Sequence, residues 1–158
     1  MTLLDTEFAP AERLDNDEIF LQTIKILGLR QILPVLNILP NLVTIVNKER
    51  QVIYANDAFS KAIGIENFEE SLGGRPGELL SCIHSMDHVF GCGTGKECRH
   101  CGVVLTILKS QETNQKEEDI ATIIVIDKGV HIAKSFKVVV SPIIVENNTF
   151  YFLILVED

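Results

Sequence analysis

Apolar positions in the first forty residues recur at helical spacing. Asp15 followed three positions later by Glu18 forms a capping-box pattern ahead of Ile19, Phe20, Thr23, Ile24 and Leu27. Gly28 ends that helix. A second helical stretch covers residues 29–39, interrupted by Pro34 and closed by Pro40. Residues 1–14 read as a loose lead-in.

From residue 42 the period shortens. Residues 42–46 and 51–55 are β-branched and apolar, and the polar turn Asn47-Lys48-Glu49-Arg50 between them predicts a hairpin. Asn56-Asp57 caps a short helix that carries Ala58, Phe59, Ala62 and Ile63 and ends at Gly64. Residues 73–77 form a Gly/Pro loop, and 78–83 allow one or two helical turns. The run Gly91-Cys92-Gly93-Thr94-Gly95-Lys96 is too glycine-rich for regular structure. A helix is predicted from Cys98 or Gly102 through Ser110 on Val103, Val104, Ile107 and Leu108. A polar stretch, 111–119, leads into three strands at 121–126, 133–145 (with a kink at Pro142) and 149–156. Gly129 and Asn147-Asn148 supply their turns. This order predicts an α+β chain: a five-stranded antiparallel sheet with helices on one face, preceded by N-terminal helices.

Residues 39–47, then Arg50-Gln51-Val52-Ile53-Tyr54-Ala55-Asn56-Asp57-Ala58-Phe59, then Ile63-Gly64, carry a resemblance to PAS domains. Asn56, Phe59 and Gly64 match the capping Asn, the aromatic and the glycine of that family. The resemblance covers residues 38–158 as the PAS domain and leaves 1–37 as an N-terminal helical extension for dimerisation or packing. It implies a sensory module with a pocket between helices and sheet, and a homodimer built through Ile19, Phe20, Ile24 and Leu27. The alternative is that this stripe packs on its own sheet. The resemblance further implies an output kinase or regulator, in trans or in a longer chain. The last residues, Val156-Glu157-Asp158, are read either as the end of a stand-alone sensor or as a point before further domains.

All four cysteines lie between positions 82 and 101, in Cys82-Ile83-His84, Gly91-Cys92-Gly93 and Cys98-Arg99-His100-Cys101-Gly102. This segment resembles a cysteine-bearing variant of PAS domains in bacterial sensor kinases. Cys98 and Cys101 form a C-x-x-C pair, whose spacing lets two thiolates face one centre. Cys82 and Cys92 complete a four-ligand set suited to zinc or an iron–sulfur cluster. Glycines flanking Cys92 would let backbone N–H groups reach its sulfur. His84, His88 and His100 are substitute ligands, or else surface and capping residues; His131 reads as a polar strand residue. The same thiols also fit a reversible redox switch, or reduced thiols with no role beyond packing. Cys98-Arg99 is similar to the reactive pair of flavin-binding photoreceptors. However, Glu97, His100, Cys101 and Gly102 depart from that pattern, and the late strands lack its Asn and Gln residues, so flavin is disfavoured.

Composition narrows the function classes. The chain has 158 residues, 46% of them hydrophobic, enough for one domain with a core. A net charge of -8 without a basic patch argues against nucleic acid and anionic lipid. No apolar run is long enough for a membrane span. Cysteines clustered in one segment fit a reducing, cytoplasmic setting better than a secreted disulfide scaffold. No Ser-His-Asp set, phosphate loop or dinucleotide fingerprint is present, and no thioredoxin-type strand–helix–strand order presents the C-x-x-C, so the chain is read as non-enzymatic. Two readings remain: a sensor whose cysteine segment binds metal or reports redox state, or a protein–protein interaction module with structural or inert cysteines.

Overall fold

A computed structural model describes residues 5–157. One antiparallel sheet organises the chain. Its strands are β1 (Leu42–Val46), β2 (Val52–Ala55), β3 (Glu117–Asp127), β4 (Val130–Val145) and β5 (Asn148–Glu157), in the order β2-β1-β5-β4-β3. The helices are α1 (Asn16–Leu27), α2 (Leu33–Ile38), α3 (Asp57–Ala62), α4 (Pro76–Leu79) and α5 (Gly102–Thr113). Two 3-10 turns, Ile83–Met86 and Lys96–His100, carry the cysteine segment.

Strand alternation divides the sheet between two cores. Along β5, Tyr151, Leu153 and Leu155 join Phe59 of α3 and Val103 and Ile107 of α5. The intervening Phe150, Phe152 and Ile154 face the opposite core, with Ile19 and Ile26 of α1 and Leu36 of α2. Helices α3 and α5 therefore cover one face, and the N-terminal helices cover part of the other.

Asn56 caps as the sequence predicts, while the expected capping box at Asp15 and Glu18 is only half formed. Asp15 accepts from the Glu18 N–H at 2.9 Å and starts α1. Asn56, fully buried, ties four segments together. Its Oδ1 accepts from Val43 N and Phe59 N, while its Nδ2 donates to the carbonyls of Leu36 and Asn41.

Several boundaries differ from expectation. The 29–39 helix is only Leu33–Ile38, because Pro34 sits in its first turn, where a missing N–H costs nothing. β3 begins at Glu117, within the polar stretch 111–119, and pairs Glu117 with Val140. Its charged side chains stand on an edge strand open to solvent, where charge discourages edge-to-edge association. α5 runs on to Thr113 and stops at Asn114, which adopts the left-handed conformation. β4 passes through Pro142, opposite Tyr151 and beyond the end of β3, so the missing N–H falls where one side of the strand is an edge.

The lead-in is not loose over its described residues. Glu7 N donates to Thr94 O and Ala9 N to Gly93 O, both at 2.9 Å, and Ala9 and Ala11 are buried. Residues 1–4 of that expectation lie outside the described residues.

Candidate functional site

All four cysteines line one cavity of about 180 Å³ between α4, the two 3-10 turns, the start of α5 and β3. Each is placed by local backbone geometry. Cys82 donates its N–H to Gly77 O at 2.8 Å and forms an isolated bridge with Val125 of β3. Cys98 lies inside the second 3-10 turn, and Cys101 is the N-cap of α5. Gly102 lets that helix start against the sheet: a Cβ there would sit 2.6 Å from Ile120 O and 2.9 Å from Ala121 Cβ.

Cys98 is buried and the other three are half-buried, all as free thiols. Neighbouring backbone amides favour the thiolate form at three of them: those of His84 and Ser85 at Cys82, of Gly77 at Cys92, and of Val103 and Val104 at Cys101. The amide that favours a thiolate at Cys92 thus belongs to Gly77 of α4, not to the glycines beside it. Gly91 and Gly93 serve another purpose, as both have positive φ and let Glu78 and Arg50 approach the loop backbone. Burial pushes the thiols of Cys82 and Cys101 up, and that of Cys92 up to about 12. At neutral pH these thiols are protonated, so any thiolate ligand must first lose its proton.

Among the described residues, no three His, Cys, Asp or Glu side chains converge on a position for a single metal ion. His84 and His100 line the cavity. Nδ1 of His84 is held by Asp87 at 2.6 Å. His88 accepts from Phe90 N and stacks on the Phe90 ring. His131 is exposed on β4, opposite Ile126.

Three arginines that sequence reasoning passed over hold the cysteine loop in place. Arg75 is fully buried and forms no salt bridge to a carboxylate among the described residues. Its guanidinium donates to the carbonyl oxygens of Glu12 and Glu49 at 2.9 Å, of Phe90 at 3.3 Å, and of Ala11, Pro10 and Cys92 at 3.4–3.5 Å. Arg50 donates to Pro10 O at 3.0 Å and Cys92 O at 3.3 Å, and its Nε has no partner among the described residues. Arg13 forks onto Glu78, whose Oε2 also accepts from Cys92 N. Burial, then the neighbouring Arg50 and Arg13, lower the pKa of Arg75 to about 9. Burial works to raise that of Glu78, but hydrogen bonds from Arg13 and from the N–H groups of Arg75 and Cys92 hold it below the usual carboxylate range. The available sequence signals were an Arg between glycine and proline in Gly74-Arg75-Pro76 and an Arg closing the hairpin turn.

A larger, open cavity of about 530 Å³ lies beside the first, near the ends of β1 and β5, and shares Leu80 and Ile123 with it. The four residues expected to form a dimer face divide. Ile19 is 3% exposed and belongs to the core, while Phe20, Ile24 and Leu27 are exposed, together with Leu21.

No family model matches the sequence, and no curated protein matches it. Solved structures do match. The PAS domain of nitrogen regulation protein NR(II) from Vibrio parahaemolyticus superposes with a TM-score of 0.56 at 14% identity, covering 79% of this chain and 95% of that one. The PAS domain of a protein from Colwellia psychrerythraea gives 0.55 at 14% identity over 83% and 97%. A PAS domain from a two-component sensor histidine kinase gives 0.53 at 9% identity over 84% and 98%. The chain therefore has the PAS fold expected from its sequence. Among the described residues, no helix is long and apolar enough to cross a membrane.

Proposed function

We propose that this chain is a non-catalytic sensory and signal-transduction module whose input is the four-cysteine cavity. One observation carries the reading: every cysteine of the chain lines a single cavity, on a loop that buried arginines tie to the segment leading into α1. A PAS domain that shares the fold comes from a two-component sensor histidine kinase, which supports the signalling role.

The input is a thiolate-ligated metal centre formed by Cys82, Cys92, Cys98 and Cys101. The local electrostatics favour it. Three guanidinium groups surround one carboxylate, Glu78, and that surplus of positive charge suits the anionic assembly of four thiolates and a metal. Loss or change of the centre would shift residues 91–94 and, through Arg50 and Arg75, residues 7–13 and α1. Residues 1–37 act as the helical extension and 38–158 as the PAS domain, in a cytoplasmic homodimer that addresses a kinase or regulator.

Elemental analysis of protein purified without oxygen, combined with hydrogen exchange, tests this reading. Bound metal, with slowed exchange in residues 7–27 relative to metal-free protein, is the expected result. Metal-free protein whose four thiols titrate without altering exchange there would leave an interaction module with inert cysteines.

A further inference from the structure

We infer that the four-cysteine cavity is shaped for a polynuclear iron–sulfur cluster rather than a single zinc ion. The inference rests on the proposed thiolate centre and specifies its chemical class. A structural zinc needs four ligand atoms about 2.0–2.3 Å from one point, and sulfurs that close leave no space between them. Here no three candidate ligands among the described residues converge on one ion position, and the four cysteines share with other residues the lining of a cavity of about 180 Å³, several times the ~30 Å³ that one water takes in the liquid. A body of several atoms fits that space, and clusters of iron and sulfide are held by four cysteine thiolates.

The walls suit such a body. Leu80, Val103 and Ile123 supply apolar wall surface. Gly77 leaves room at the sulfur of Cys92: a Cβ on it would lie 2.8 Å from that Sγ and 3.4 Å from Cys82 Cβ. The spacing C-x-x-C at Cys98 and Cys101, with two single cysteines upstream, does not repeat the paired knuckles of a zinc ribbon.

The test is anaerobic reconstitution of the full chain with ferric iron, sulfide and excess thiol, beside a parallel incubation with zinc alone. The expected product is brown and contains iron and acid-labile sulfide in near-equal amounts. It should fall at least tenfold in Cys98→Ser and in Gly77→Ala, the latter retaining every thiol, with unchanged far-ultraviolet circular dichroism. Cluster formation by Gly77→Ala at the wild-type level would overturn the cavity argument. One tightly bound zinc per chain with no uptake of iron and sulfide would overturn the cluster while leaving a metal centre in place. Binding of neither would remove both.

Discussion

Arg75 and Glu12 lie 63 positions apart, and the guanidinium of the first donates to the main-chain carbonyl of the second at 2.9 Å. The same side chain reaches the carbonyls of Phe90 and Cys92. One buried cation thus holds the entrance to α1 and the cysteine loop to a common point. A carbonyl carries no sequence information, so this tie depends on the arginine and the path of the backbone rather than on matched side chains.

Replacing Arg75 with Met should be severe. It removes the donor shared by several buried carbonyls, each costing roughly 1–3 kcal/mol when unpaired. A total loss of about 3–5 kcal/mol is expected from urea unfolding. Arg75→Lys should recover little, since an ammonium on a flexible stem cannot span the same carbonyls.

Acid should loosen the loop through Glu78. Its carboxyl is held below the usual range in the folded chain, so its stabilising contribution is present above about pH 4.3 and is lost as pH falls through the lower folded value. Urea midpoints at pH 6 and pH 3.5 should differ less in Glu78→Gln than in the parent. Equal pH dependence in the two proteins would contradict this role.

Asn56→Ala should cost about 2–4 kcal/mol, combining a lost helix cap with stranded groups on β1 and the α2–β1 connection. Asn56→Asp should fall between, because it keeps both acceptor contacts and loses both donor contacts. Thermal melts rank the three proteins.

The exposed side of α1 and its buried side make opposite predictions. Phe20→Glu and Ile24→Glu should abolish self-association in sedimentation velocity and leave the monomer's melting temperature nearly unchanged. Ile19→Ala should instead cost about 2–5 kcal/mol in monomer stability, as expected for truncating a core side chain.

Gly102→Ala tests how closely α5 must approach the sheet. The added methyl would meet Ile120 O and Ala121, which are backbone and a neighbouring core residue and cannot swing aside. A loss of about 1–3 kcal/mol is expected, and Cys101 should become more reactive toward a thiol reagent as the start of α5 lifts.

The sheet and the Asn56 cap were legible because alternation and capping are local signals. The cysteine cluster was legible as a set, and the structure brings its members to one cavity. What escaped is non-local. Arg50 read only as part of a polar turn and Arg75 only as part of a Gly/Pro loop, since their partners are carbonyls distant in sequence that carry no residue signature. Residues 117–119 read only as part of a polar stretch because charge masks an edge strand whose pairing is made by its backbone. The described part of the lead-in looked unstructured because its order comes from pairing with residues 93–94, which no short window contains.

That pairing bears on how the protein can be cut. A fragment beginning at residue 38 would keep every strand and every cysteine. Yet it would take from Arg75 the carbonyls of Pro10, Ala11 and Glu12, and from Arg50 that of Pro10. It would also bare the sheet face that Ile19 and Ile26 cover. Such a fragment should be prone to aggregation and rapidly digested by protease, whereas a cleavage site inserted in the exposed β3–β4 turn at Lys128-Gly129 should be cut while the rest of the chain stays folded.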